Sequence, residues 1–314
     1  MDIGRTGKDF IKRAFPGLYS RWAGYKETLC RKDIQGILSQ TESPQWYDSE
    51  AIFQELQSRH PPYPEYGYDT YRTWERGVDR AAHLIETIED LRQPGLNILE
   101  AGCGDAMAGH AFACYGHQVT LVDIEDWRDG RSKHLRFIQG DLSRVLPLAS
   151  EAYDLVYSFN TLEHVKEPAT MLSELIRICK AEGYIYLKFN PLYSSPWGLH
   201  ASASLRMPYP QFIFSENFIT KKVKEPGIFD LGREKDELQP LNGWSCEQFI
   251  STLKNSGCEI VFLEKIKTQA HLNIIKEFPL AFRGRGLSYE DVTISGLSML
   301  LRKNNNVMSG NTKV

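Results

Sequence analysis

The 314-residue chain has no run of eighteen apolar residues, no internal repeat and no paired-cysteine motif. The first lack speaks against a membrane-spanning helix, which needs about 20 consecutive apolar residues. The opening stretch MDIGRTGKDFIKRAF holds no apolar core of the kind a secretory leader carries, so export by that route is not expected. The six cysteines (Cys30, Cys103, Cys114, Cys179, Cys246 and Cys258) are scattered, and none has a histidine partner at metal spacing. That distribution suits reduced thiols in a cytoplasmic protein better than a disulfide framework or a zinc site. A large net charge is lacking too: the formal value is −3 at pH 7. A dedicated nucleic-acid binder, which must neutralise many phosphates, is therefore not expected.

What is present is an ordinary globular composition, 42% hydrophobic and 25% charged, on a chain long enough for one large domain with a modest appendage. Charge is uneven at one place. Within residues 1–32, Arg5, Lys8, Lys12, Arg13, Arg21, Lys26, Arg31 and Lys32 outnumber Asp2, Asp9 and Glu27. A solvated helical face is the plain reading; a surface for an anionic substrate or for membrane headgroups is the other, so peripheral membrane contact stays open.

Residues 1–68 read as a helical extension or lid, ending near His60-Pro61-Pro62 and the tyrosines that follow. From Tyr71 to Leu91, apolar residues at Tyr71, Trp74, Val78, Ala81, Ile85 and Ile88 recur at helical spacing, and Pro94-Gly95 stops the pattern. Strand-like and helix-like segments then alternate, the signal for a parallel sheet with helices on its faces. Strands are expected at 97–101, 118–123, 135–139, 153–158 and 183–189. Helices are expected at 107–115 and 169–180, the second with Pro168 at its first position, where a missing N–H costs nothing. Met171, Leu172, Leu175, Ile176 and Cys179 should form its buried face. A long irregular stretch, 191–243, reads as a cap inserted in the domain. It is followed by a helix opened by Ser245 and two late strands near 258–266 and 292–301, which suit an antiparallel closure of the sheet. Residues 303–314 read as a disordered tail, leaving 69–302 as the main domain.

The chemistry concentrates after the first strand, in Leu99-Glu100-Ala101-Gly102-Cys103-Gly104-Asp105. A buried strand runs into a Gly-x-Gly turn and then a helix whose N-terminus offers unpaired N–H groups. A dinucleotide site uses such a turn as well. Its third glycine would fall at Met107, which is bulky, and Glu100 suits a ligand with an ammonium group better than a pyrophosphate, so a nicotinamide-dependent oxidoreductase is disfavoured. Asp123 ends the second strand, nineteen positions after Gly104, where a carboxylate can accept both hydroxyls of a ribose. Gly140-Asp141-Leu142 follows the third strand, and Ser158-Phe159-Asn160-Thr161-Leu162-Glu163-His164-Val165 ends the fourth. All four elements should meet beyond the carboxyl ends of the strands.

Together these segments, over about residues 97–190, resemble the class I S-adenosylmethionine-dependent methyltransferases. LEAGCGD is similar to their first motif, TLVDI to the second, GDL to the third and YDLVYSFNTLEHV to the fourth. The resemblance implies a Rossmann-like α/β fold: a mostly parallel seven-stranded sheet with helices on both faces, plus the N-terminal extension and the cap. It implies S-adenosylmethionine as cofactor, held by Glu100, Ala101, Gly102, Gly104, Asp123, Ile124, Asp141, Leu142 and Asn160. In this family the glycine turn faces the methionine moiety, the acid after strand two takes the ribose, and the residues after it and after strand three meet the adenine. The stretch 191–218 is similar to a sub-group with a Gly-His segment after strand five; here a leucine intervenes, as Gly198-Leu199-His200.

Methyl transfer from a sulfonium asks a protein to align the acceptor and exclude water, and an O–H or N–H acceptor can also need a base. His200, in the cap, and His164, after strand four, are the candidates. Tyr68, Tyr71, Trp197 and His200 are expected to touch substrate, although plain packing is the competing reading for the aromatic rings. Some relatives hold magnesium with carboxylates at the ends of strands four and five. Here those ends read Ser158-Phe159-Asn160 and Phe189-Asn190, with no aspartate, so no metal is expected. The expected substrate is a small molecule with a hydroxyl or amine, such as a specialised metabolite or a sugar. A surface glycan or lipid-linked sugar is the alternative within the class, and a cofactor-binding scaffold without catalysis the alternative outside it. The oligomeric state is not legible.

Overall fold

The computed structural model describes residues 16–61, 69–224, 228–230, 233–235 and 238–304. Strands β1 (Asn97–Ala101), β2 (Gln118–Asp123), β3 (Arg136–Gln139), β4 (Tyr153–Phe159) and β5 (Cys179–Phe189) are joined through parallel pairings. A small hairpin, β6 (Ile228–Asp230) and β7 (Arg233–Lys235), stands apart. Strands β8 (Glu259–Lys267) and β9 (Ile294–Arg302) complete a seven-stranded sheet in the order β3-β2-β1-β4-β5-β9-β8, with β9 antiparallel to both neighbours. Central strands read as continuous apolar runs because both of their faces are covered: Ile98 packs on one side and Leu99 on the other, each fully buried.

The helices before the cap are α1 (Pro16–Leu38), α2 (Glu50–Ser58), α3 (Thr70–Thr87), α4 (Met107–Cys114) and α5 (Pro168–Ile178). Asp69 caps α3 by accepting from the N–H groups of Tyr71 and Arg72. Pro168 opens α5, and Met171, Leu172, Leu175 and Ile176 are buried as expected. The face expected for α3 is corrected. Thr73, Gly77, Ala81 and Leu84 point inward, whereas Tyr71 is 69% exposed and Val78 37%. The cause is a close helix crossing: a Cβ on Gly77 would lie 2.5 Å from the Met107 backbone, so small residues rather than apolar ones carry the contact. Strand β5 also starts four residues earlier than expected, because α5 ends at Ile178 and the chain enters the sheet at once.

After β5 come α6 (Pro210–Ile213), α7 (Glu216–Lys224) and α8 (Cys246–Lys254). Between β8 and β9 lie α9 (Leu272–Glu277), α10 (Pro279–Phe282) and α11 (Tyr289–Thr293). Ser245 and Gln248 form a reciprocal capping box at the start of α8. The tail assignment is corrected at its first residue. Lys303 continues the β9 pairing through its N–H to the Gly183 carbonyl, and its buried ammonium reaches Glu151 and the Cys179 carbonyl. Residues 305–314 lie outside the described ones.

A third apolar core, separate from those on the two faces of the sheet, forms the cap. It unites Ile34 and Leu38 of α1, Phe53 and Leu56 of α2, Tyr209, Phe212 and Phe214 of the insert, and Ile275, Phe278 and Phe282 from the connection between β8 and β9. That last stretch, read in the sequence only as a long connection, is a full partner in the cap. Polar ties reinforce the union: Arg59 holds Glu277 at 2.6 Å, Lys276 holds Asp33 at 2.6 Å, and the Tyr209 hydroxyl donates to the Val292 carbonyl at 2.7 Å. Among the described residues no helix is long and apolar enough to cross a membrane.

Candidate cofactor and active site

The turn after β1 is built by its own backbone. The N–H groups of Gly102 and Cys103 both donate to the Val122 carbonyl, which fastens the turn to β2. Gly102 and Gly104 have φ of +74° and +52°, the left-handed region that glycine adopts without strain. They differ in surroundings. A Cβ on Gly102 would strike the Thr161 side chain at 2.2 Å, so the fourth motif packs directly on the first. A Cβ on Gly104 would meet no described residue within 4 Å. The turn therefore opens to a ligand at Gly104 and is closed at Gly102.

Asp123 sits beside that opening. Its carboxylate accepts the Gly104 N–H at 2.9 Å and the Ile124 N–H at 2.7 Å. Burial raises its pKa, and these amide donors work in the opposite direction. Ile124 is 62% exposed, an apolar side chain displayed next to Asp123. Asp141 accepts the N–H of Ser143 at 2.8 Å and pairs with Arg144 at 3.4 Å. Leu142 is buried in the core below, while Asn160, with φ of +50°, is exposed and donates its N–H to the Lys188 carbonyl. Ala101 is buried, and its carbonyl accepts from the Ser158 hydroxyl at 2.6 Å.

Glu100 lies deeper than its expected role suggests. It is buried, its carboxyl accepts the Gly109 N–H at 3.0 Å, and burial pushes its pKa up to about 8 against the opposing pull of Arg80. Gly109 is a residue that sequence reasoning missed. A Cβ there would meet Leu121 at 2.7 Å and Glu100 at 2.8 Å, so it provides the tight helix–strand approach that Met107 could not. Its position, two residues past Met107, was the available signal.

The two histidines expected to be catalytic are brought together, with ring centroids 4.7 Å apart. His164 Nδ1 bonds the Pro240 carbonyl at 2.8 Å, and His200 Nε2 bonds the Pro191 carbonyl at 2.7 Å. Burial, and then the neighbouring His164, lower the His200 pKa to about 4, so its imidazole is neutral at pH 7. Glu163, quoted in the fourth motif but given no role there, is buried beside them, and burial raises its pKa to about 8. Its Oε1 lies 4.0 Å from His164 Nε2. Trp197 packs edge-on against His60 and His271 in the cap. Tyr71 is exposed, its hydroxyl 3.4 Å from Glu75, and Tyr68 lies outside the described residues.

These features fit S-adenosylmethionine: an opened glycine turn, a carboxylate fixed beside it and a displayed apolar side chain at the tips of adjacent strands. A family model described as a methyltransferase domain matches residues 99–187. A probable S-adenosylmethionine-dependent methyltransferase of Mycobacterium tuberculosis is 31% identical over 93 residues, 28% of this chain and 34% of that protein. A ubiquinone biosynthesis O-methyltransferase of Leptothrix cholodnii is 26% identical over 152 residues, 45% of this chain and 56% of that protein. The chain thus spans between a third and somewhat over half of these relatives' length. Among solved structures, a putative sarcosine dimethylglycine methyltransferase from Galdieria sulphuraria aligns at a TM-score of 0.46 and 15% identity, covering 82% of this chain and 99% of that one. Residues 99–187 thus carry a methyltransferase domain, and S-adenosylmethionine is the cofactor that this domain and its relatives imply.

Proposed function

We propose that the protein transfers the methyl group of S-adenosylmethionine to a hydroxyl of a small molecule, with an amine as the other acceptor to test. The observation that carries this reading is the cap. It is assembled from three stretches of chain, and it brings His200 onto the loop that follows β4. A roof with its own core over one crevice suits a compact acceptor that must be shielded from water. The preference for oxygen draws on the relatives named as ubiquinone biosynthesis O-methyltransferases.

Bound S-adenosylmethionine supplies a methyl group already activated on a sulfonium. The residues of the chain then have three tasks. Gly104, Asp123 and Ile124 receive the cofactor; Asp123 takes ribose hydroxyls, and Ile124 lies against the adenine. Asp141 and Asn160, on the neighbouring strand tips, complete the rim. His200, neutral at pH 7 and with His164 beside it, borders the acceptor and helps to orient it. Trp197 closes the cap side. The N-terminal stretch 1–68 and the insert 191–243 act together as the lid.

Transfer of labelled methyl from S-adenosylmethionine into fractionated host extract tests the reading, with Asp123→Ala as the blank. Label in a small-molecule fraction, dependent on intact protein, is the expected result. Label entering lipid or polymer would shift the substrate to a glycan or lipid-linked sugar. No label above the blank, with cofactor binding intact, would overturn catalysis.

A further inference from the structure

Glu163, His164 and His200 form a cluster on which cofactor binding makes no demand. Glu163 and His164 follow β4, while His200 comes from the cap insert. One possible ligand atom from each lies within 4.8 Å of the other two. The Glu163 side chain is only 3% exposed; the backbone amides of Glu163 and Asn190 act on it from nearby, but among the described residues neither of its oxygens has a hydrogen-bond partner in good geometry. A buried carboxyl left in that condition is costly and calls for an occupant.

The histidines are set in a matching way. His164 Nδ1 and His200 Nε2 each face a backbone carbonyl, Pro240 and Pro191 respectively. A neutral imidazole that donates from one nitrogen keeps a lone pair on the other. The ring nitrogens not facing those carbonyls are Nε2 of His164, the atom 4.0 Å from Glu163, and Nδ1 of His200, and these are the atoms that can ligate. Metal-binding histidines are held by just such a bond on the far nitrogen, which fixes tautomer and ring orientation. The 4.0 Å separation is too long for a hydrogen bond. It matches two atoms that each stand about 2.0–2.2 Å from a third between them. The widest spacing allowed by the cluster has to contract by at least roughly half an ångström to reach such bonds.

We propose that Glu163, His164 and His200 are the protein ligands of a divalent transition-metal ion of the zinc type, with a further position open for an acceptor oxygen. Two imidazoles and one carboxylate suit zinc(II) and its neighbours, whereas magnesium and calcium prefer all-oxygen sets. Three protein ligands with an open position is the arrangement of catalytic rather than structural zinc. The ion ties the cap to the β4 loop. It also eases release to solvent of the proton of a hydroxyl whose oxygen it binds. That role rests on the methyl-transfer reading, but the site itself does not, since metal binding needs neither cofactor nor acceptor. The expectation of no metal came from the ends of β4 and β5; these ligands come instead from the loop beyond β4 and from the cap.

The test uses the full chain, stripped with a chelator and titrated with zinc(II) or cobalt(II). One ion per chain is expected, with the intense visible bands that cobalt(II) shows in a four- or five-coordinate site. Glu163→Gln and His200→Asn should each weaken binding by roughly 100-fold or more. Asparagine is chosen because His200 has a φ of +55°, a conformation asparagine tolerates. No stoichiometric binding by the unaltered chain, or undiminished binding by both folded variants, would overturn the proposal. If a variant does not fold, the cobalt spectrum of the unaltered chain decides: the weak bands of a six-coordinate aqua-like ion would also sink it.

Discussion

The glycine-turn side of the sheet and the cap solve the same problem, holding groups at the crevice, by opposite means. On the sheet side every element follows its own strand within residues 97–165, and the fastening is backbone: amides to Val122, Asp123 and Glu100. In the cap the contributors lie far apart in the chain, and the fastening is side chain. Phe282 is edge-on to Tyr209 and 5.5 Å from Phe212, and Arg59 bridges to Glu277. Backbone fastening fixes positions to which a shared cofactor must be complementary. Side-chain packing leaves shape free to vary, which is what the substrate roof proposed above would require.

Four measurements would break or sharpen this contrast. Phe282→Ala removes a fully buried ring and should cost about 3–5 kcal/mol. Hydrogen exchange should show the loss confined to residues 34–56, 205–223 and 272–293, the members of that one core. Equal loss of protection in β1 and β4 would mean that the two regions open as one unit.

Next comes Glu100→Gln, read by denaturant midpoint without cofactor. Because the folded pKa of Glu100 is raised to about 8, the unfolded chain loses this proton first as pH rises. Wild-type stability should therefore fall from the ordinary carboxylate range up to about pH 8 and level off above it. The glutamine variant, which keeps the Gly109 bond, should escape that part of the decline, worth on the order of 5 kcal/mol. Parallel curves would show that the carboxyl is not held protonated.

Gly102→Ala and Gly104→Ala should then separate. Both incur the strain of a left-handed backbone, about 1–3 kcal/mol, but only the first collides with Thr161. Melting should fall further for Gly102→Ala, while Gly104→Ala should remain folded and lose affinity for S-adenosylmethionine. Equal melting temperatures would remove the distinction between a closed and an open glycine. The smallest effect is expected for Ser245→Ala, about 1 kcal/mol from the lost cap of α8. No change in thermal stability would show that the Gln248 half of the capping box suffices.

How much was legible follows the same division. The strands at 97–101 and 118–123 match β1 and β2 residue for residue, because a run buried on both faces and bounded by turn residues leaves little latitude. Asp123 could be placed at a strand tip from spacing alone. Glu163 could not be assigned a role, because its burial is created by a distant stretch: the Asn242 N–H bonds the Glu163 carbonyl, and the Asn242 side chain bonds Leu162 and Val165. The inward face of α3 was misplaced because Gly77 and Thr73 make the contact, and an apolar pattern does not register small residues. The connection between β8 and β9 hides its role for a further reason. Its helices are only four to six residues long, too short to show a period.

The strand order carries a consequence for synthesis on the ribosome. Of the seven strands of this sheet β9 is the last to emerge, yet its place is between β5 and β8. Until residues 294–302 are free to pair, the sheet shows two unpaired edges, one of them on β5, whose residues 185–187 are almost wholly apolar and buried in the finished protein. Bare edges of that kind recruit other chains. The nascent sheet therefore passes through an aggregation-exposed interval that ends only when β9 slides into the gap.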